Sequence, residues 1–189
     1  MGGRRPEMGG RTEVSDPPTV FTIGHSTHTA DHFLELLQAH GIVQLADIRT
    51  IPKSRRLPHF NSDALDNFLR LHGIKYRHFP SLGGLRKPQS DSVNTAWRHP
   101  SFRGYADHMQ TPEFQQGVKE LLAFSQHGAT TVMCAEAVWW QCHRKLLADA
   151  LVAQRVPVFH ILGASAPKAH QMSEFARITG SVVSYPGLL

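Results

Sequence analysis

Two cysteines in 189 residues are too few to build the disulfide framework of a small secreted domain. Reduced thiols and a cytoplasmic location are the expectation that follows. No run of about 20 apolar residues occurs, so no helical membrane span is expected. The opening stretch MGGRRPEMGGRTEVSDPP carries arginines without the apolar segment that a secretory signal places after them. Its glycine, proline and charge predict a flexible tail over residues 1–18, with a single domain over 19–189. Acidic residues are also scarce, 15 against 20 Lys and Arg. No Walker loop, no G-x-G-x-x-G and no G-x-S-x-G is present. A Cys-x5-Arg phosphate loop is absent too, because Trp140 occupies its arginine position.

What charge there is lies unevenly. The net charge is +5 with a pI near 9.6. Between Arg49 and Arg103 eleven Lys or Arg face three acids, Asp63, Asp66 and Asp91. Such an excess is the electrostatic footprint expected of a phosphate-bearing partner, whether DNA, RNA or a nucleotide. A solvated basic surface is the plainer alternative.

Short β-rich runs alternate with amphipathic ones. Strands are expected at 20–23, 43–48, 74–79, 130–134 and 156–162, and helices at 31–40, up to Leu71 from a cap at Asn61 or Ser62, 112–125 and about 140–154. Apolar residues 33, 34, 36 and 37 recur at helical spacing before Gly41, and Pro112 stands at a first helical position. Residues 85–102 read as an irregular polar loop suited to a lid or to binding. This alternation predicts an α/β fold in three layers, a mainly parallel sheet with helices on both faces.

Ligands of open parallel sheets bind beyond the carboxyl ends of the strands. The polar residues of this chain gather at those ends. The first strand delivers His25 and Ser26, and the second Asp47 and Arg49, followed by Ser54 and Arg55. The fourth delivers Cys134 and Glu136, and the helix after it carries Cys142, His143 and Arg144. In an enzymatic reading Cys134 is a nucleophile and Glu136, His143, His25 and Asp47 are acid–base candidates. Arg49, Arg55 and Arg144, with Ser26, Ser54 and Cys142, are ligand-binding candidates, since guanidinium forks match phosphate geometry. Arg144 in the early turns of a helix also opposes the helix dipole, which calls for an anionic partner.

Each has a structural alternative. A cysteine ending an apolar strand is more often a small core residue than a nucleophile. Asp47 and Arg49 share a strand face and suit an ion-pair network. Trp139 and Trp140 suit packing as well as stacking on a base. Zinc is an alternative to a metal-free site, because Cys134, Glu136, Cys142 and His143 are suitable ligand types. Against it, the two cysteines are eight apart, and neighbours on a helix such as Cys142 and His143 point about 100° apart. No cofactor is therefore expected.

Several segments resemble one bacterial family, the domain of unknown function 488. They are Thr22-Ile-Gly-His-Ser26, Asp47-Ile-Arg49 with Pro52 and Ser54, Phe60-Asn61, Gly73-Ile-Lys-Tyr76 with Leu82-Gly-Gly84, Met133-Cys-Ala-Glu136 and Cys142-His-Arg144. The resemblance implies a shared fold and a shared site at His25, Ser26, Asp47, Arg49, Pro52, Ser54, Cys134, Glu136, Cys142, His143 and Arg144, and names no reaction. Most family members carry a proline between the Glu and the Cys-His-Arg triplet, where this chain has Ala137-Val-Trp-Trp-Gln141. Three functions remain open: an enzyme acting on a phosphate-bearing ligand, rhodanese-like sulfur or redox chemistry at Cys134, and a non-catalytic binding module. Oligomeric state is not legible.

Overall fold

The central strands of the parallel sheet are held by the burial of both their faces. β1 (Val20–Gly24), β2 (Gln44–Asp47) and β4 (Thr130–Cys134) are almost wholly buried along their lengths, the pattern of strands covered on two sides. The computed structural model describes residues 17–187, so the expected tail lies outside the description except for Pro17 and Pro18. The sheet runs β3 (Lys75–His78), β2, β4, β1, β5 (Val158–His160) and β6 (Lys168–Ala169), the last antiparallel. A separate hairpin pairs β7 (Arg177–Thr179) with β8 (Val182–Ser184).

Helices cover both faces. α1 (Ala30–Ala39) starts at Thr29, whose side chain accepts from the His32 amide, and stops before Gly41 at φ 62°. Its Phe33, Leu34, Leu36 and Leu37 join Leu65 and Leu69 of α2 (Ser62–Leu71) and Ile23, Leu45 and Met133 of the sheet. On the other face α3 (Pro100–His108), α4 (Pro112–Ser125) and α5 (Arg144–Ala153) contribute Tyr105, Phe114, Val118, Leu121, Leu146 and Leu151. Each such side chain stabilises the fold by roughly 1.5–3 kcal/mol of transfer energy. The three-layer α/β architecture is the one that the alternation predicts. Among the described residues no helix is long and apolar enough to cross a membrane.

Two expectations need correction. The region read as loop to residue 102 gives way at Pro100 to α3, whose buried face includes Asp107 and His108. Two buried polar residues hide that helix from an apolar pattern. Asp107 then ties the preceding segment down, accepting from the Gln89 amide at 2.8 Å, from the Ser92 hydroxyl and from Asn94 Nδ2 at 2.8 Å. Residues 89–94 are thus anchored rather than a free lid. The helix expected from residue 140 begins at Arg144. Before it come a 3₁₀ turn, Trp139–Gln141, and an extended Cys142 at φ −127°, ψ 153°.

A buried polar chain closes the C-terminal side. Asp149 accepts from His170 Nε2 at 2.8 Å, from the Ser173 amide and hydroxyl, and from the Tyr185 hydroxyl at 2.9 Å. His170 Nδ1 meets His160 Nε2 at 2.9 Å, and His160 Nδ1 meets the Thr22 hydroxyl at 2.7 Å. Burial, then His170 and Arg144, push His160 down to a pKa of about 3. Asp149→Ala leaves four donors without an acceptor and should lower the free energy of unfolding by about 3 kcal/mol or more, read by urea denaturation.

Candidate functional site

The site follows from where the chain changes direction. β1 and β2 run onto α1 and α2 on one face, while β4, lying between them, runs onto α5 on the other. The loops leaving the carboxyl ends therefore part, and a crevice opens there. A cavity of about 580 Å³ fills it. Ile51, Leu85, Phe102 and Trp140 form apolar walls, Arg49, His99, Glu136 and Gln141 add polar groups, and Cys134, Cys142 and His143 lie at its base.

The β4–α5 loop is pulled across the end of β1. The His25 amide donates to the Cys134 carbonyl and the Ser26 amide to that of Ala135, both at 2.9 Å. Gly24 permits this approach, since a Cβ there would stand 1.9 Å from the Glu136 carbonyl oxygen. Ser26 turns the chain at φ 48°. His25 stacks on Phe60 at 4.2 Å, donates through Nδ1 to the Ser26 carbonyl at 2.9 Å, and turns Nε2 to Arg49 Nη1 at 3.4 Å. Burial and the Arg49 charge lower its pKa to about 4, so the ring is neutral at physiological pH. Neither His25 nor Ser26 lines the cavity.

Asp47 and Arg49 form the buried ion pair foreseen as their structural alternative. Arg49 Nε and Nη2 reach the Asp47 carboxylate at 2.9 and 2.6 Å, and Nη2 also donates to the Phe60 carbonyl. The Tyr76 hydroxyl donates to Asp47 Oδ2 at 2.7 Å. The geometry thus makes Asp47 a positioning residue for Arg49, whose remaining nitrogen, Nη1, has the His25 ring at 3.4 Å as its partner. Ser54 accepts from the Leu57 amide, and its own amide donates to Asn61 Oδ1, so it closes a turn. Asn61 spends its side chain there and does not cap α2 with it. Arg55 is exposed, and neither Ser54 nor Arg55 touches the cavity.

Cys134, Cys142, His143 and Arg144 converge. His143 Nδ1 lies 3.9 Å from Cys134 Sγ and 3.6 Å from Cys142 Sγ, and its Nε2 donates to the Ile48 carbonyl at 3.2 Å. The objection that Cys142 and His143 diverge on a helix fails, because Cys142 is extended and precedes α5. Arg144 is only 1 % exposed and does not line the cavity. Its Nε donates to Cys142 Sγ at 3.4 Å and its Nη2 to the Glu136 carbonyl. The anionic partner that this cation calls for is thus a sulfur of the same chain.

The two thiols are biased in opposite directions. A hydrogen bond to Cys142, then burial, raises the Cys134 thiol well above its ordinary value. Burial alone would raise Cys142 as well, but the bond from Cys134, with His143 and Arg144 beside it, carries it well below. Deprotonation is therefore favoured at Cys142 and opposed at Cys134, the nucleophile expected from the sequence.

A family model described as domain of unknown function DUF488 matches residues 29–151. The chain belongs to this family. The match spans Asp47, Arg49, Cys134, Glu136 and the Cys-His-Arg triplet, and begins after His25 and Ser26. No curated protein and no solved structure matches the chain. In this DUF488 member the interval without a proline is packed through Trp139, which stacks on His160 at 4.0 Å and 4° between planes, while Trp140 is half exposed at the cavity wall.

Of the walls, Leu85, His99 and Phe102 fall in the 85–102 segment read as suited to a lid or to binding, while Ile51 was missed as a site residue. Ile51, Leu85, His99 and Phe102 come from loops and a helix start with no motif to announce them. The pair Gly83 and Gly84, legible only as part of the family motif, has a steric reason. A Cβ on Gly84 would lie 2.3 Å from His143 Nδ1.

Gly84→Ala should therefore displace the His143 ring and cost about 1–3 kcal/mol, visible as shifted His143 resonances and an earlier urea midpoint. For His25, the unfolded chain takes its proton near pH 6.5 and the folded chain only near 4. Stability from this group is level above pH 6.5 and falls as pH drops toward 4. Melting temperature followed across that window should decline less in His25→Asn than in the parent.

Proposed function

We propose that this chain is an enzyme acting on a small molecule held in the cavity at the carboxyl ends of β1, β2 and β4. One observation carries the reading. Three electron-pair donors, Cys134 Sγ, Cys142 Sγ and His143 Nδ1, lie within 4.8 Å of one another where the cavity ends. A space of 580 Å³ falls in the range of small-molecule sites, about 300–1,000 Å³. Its aliphatic and aromatic walls suit a ligand with a flat or apolar body. Arg49 lines the cavity, and its Nη1, held only by the 3.4 Å contact to His25 Nε2, offers one cationic grip for a carboxylate or phosphate at the ligand's end. Glu136 borders the cavity, and no side chain among the described residues bonds its carboxylate, so it is the acid–base candidate. The chemistry is that of soft donors meeting an electrophilic centre, which favours sulfur-centred reactions over phosphoryl transfer. Reduced thiols of this kind fit a cytoplasmic setting.

A nucleic-acid substrate is the second reading. Lys53, Arg55 and Arg56 are exposed on the loop whose Ile51 forms part of the wall. Filter binding of DNA and RNA across salt concentration tests it, and no retention at low salt would remove it.

The leading reading is tested by alkylating the reduced, chelator-washed, folded protein with iodoacetamide and mapping the modified peptide. Cys142 should react in the folded state, and Ser101→Trp, which places an indole in the cavity lining, should slow it. A rate that Ser101→Trp leaves untouched, and that rises only in step with global unfolding, would overturn the reading.

A further inference from the structure

We propose that Cys134, Cys142 and His143 are the protein ligands of a thiolate-preferring divalent metal ion, zinc being the best match, and that its fourth coordination position opens into the cavity. This deepens the enzymatic reading above and rests on it, by naming the acceptor of the three electron pairs.

Distances carry the argument. Zinc holds sulfur at about 2.3 Å and imidazole nitrogen at about 2.0–2.1 Å, so the sulfur–nitrogen edge of a tetrahedral site measures about 3.5–3.6 Å. The two such edges here are 3.6 and 3.9 Å, and the whole set fits within 4.8 Å. The sulfur–nitrogen edges need at most a few tenths of an ångström of contraction, and the sulfur–sulfur edge, about 3.8 Å in such a site, needs up to about 1 Å. Cys134 closes a buried strand and His143 caps α5, so two of the three ligands stand at the ends of regular elements.

The surroundings point the same way. A carbonyl can only accept, so the Ile48 oxygen at 3.2 Å requires a proton on His143 Nε2. In the neutral ring that leaves the lone pair on Nδ1, facing both sulfurs. A second ring nitrogen bonded to a carbonyl is the usual support of a metal-bound histidine. Arg144 supplies the corresponding outer donor to Cys142 Sγ. Gly84 completes the shell by having no side chain, since a Cβ there would crowd Nδ1. Two thiolates balance the charge of a divalent ion, and their displaced protons pass to solvent. Three protein ligands with an open position are the pattern of a catalytic site rather than a closed structural one. The open position faces the walls of Ile51, Leu85 and Phe102, where a donor atom of the small molecule or a water would bind.

The full chain, reduced and stripped with a chelator, is titrated with Co²⁺ as a spectroscopic substitute. The expected result is a single Co²⁺ per chain, with a sulfur-to-cobalt charge-transfer band in the near ultraviolet and intense tetrahedral visible bands, all abolished by Zn²⁺ competition. Cys134→Ser and Cys142→Ser should each weaken the charge-transfer band, and His143→Gln should weaken binding while keeping it. Should a variant fail to fold by circular dichroism, X-ray absorption of the zinc-loaded parent decides, with two sulfurs expected in the first shell. A parent that binds no Co²⁺, or a Cys134→Ser/Cys142→Ser double variant that binds it as the parent does, overturns the proposal. Absent cobalt binding with cavity-dependent alkylation of Cys142 would sink the metal alone. Cobalt binding with alkylation indifferent to Ser101→Trp would support the ion and sink the enzymatic reading.

Discussion

A guanidinium buried to 1 % exposure at the first turn of a helix sets the terms for this molecule. Arg144 stands at the positive end of the α5 dipole, where a cation is disfavoured, and it is cut off from water. An uncompensated charge so placed would cost several kcal/mol. Compensation comes from the Glu136 carbonyl and from Cys142 Sγ, both contributed by the loop that joins β4 to α5. The loop must therefore fold back over its own helix start. In doing so it brings Cys142 beside Cys134 and turns His143 toward both. The sulfur chemistry of the site is thus tied to the electrostatic demand of one arginine.

A second buried pair performs a similar service on the neighbouring strand. Arg49 is fixed by Asp47 and the Phe60 carbonyl, with Tyr76 holding the far side of the carboxylate. Two of the three guanidiniums that suggested phosphate binding, Arg49 and Arg144, are largely engaged within the protein. Positive charge along the chain records such internal pairs as readily as it records an external anion. What remains is Nη1 of Arg49, shared with the His25 ring, enough for a single anionic group and not for a phosphate chain.

Much of the fold was legible because its periodicities are simple. The apolar run of β4 and the 33, 34, 36, 37 spacing of α1 report faces buried against a layer, and they place the strand ends where the polar residues cluster. α3 was not legible. Its inward face carries Asp107 and His108, which are satisfied by loop amides, hydroxyls and a carbonyl instead of by apolar contact. The start of α5 was misplaced by about a turn for a related reason. Trp139 and Trp140 look like helix residues, but Trp139 is stacked on His160, far away in sequence, and so fixes a 3₁₀ turn. That small shift is what lets Cys142 and His143 face a common point.

Read by itself, the chain determined the order of its elements, the two apolar layers, the family and the roster of reactive residues, because patterning and motif spacing are local properties. Tertiary structure decided what those residues do to each other. It favoured deprotonation at Cys142 over Cys134, kept His25 neutral, turned Asp47 into a brace for Arg49, and left Ser54 and Arg55 outside the cavity. These outcomes depend on burial and on distances of a few ångströms within and between the loops that leave the strand ends. Such distances exist only once the sheet has closed.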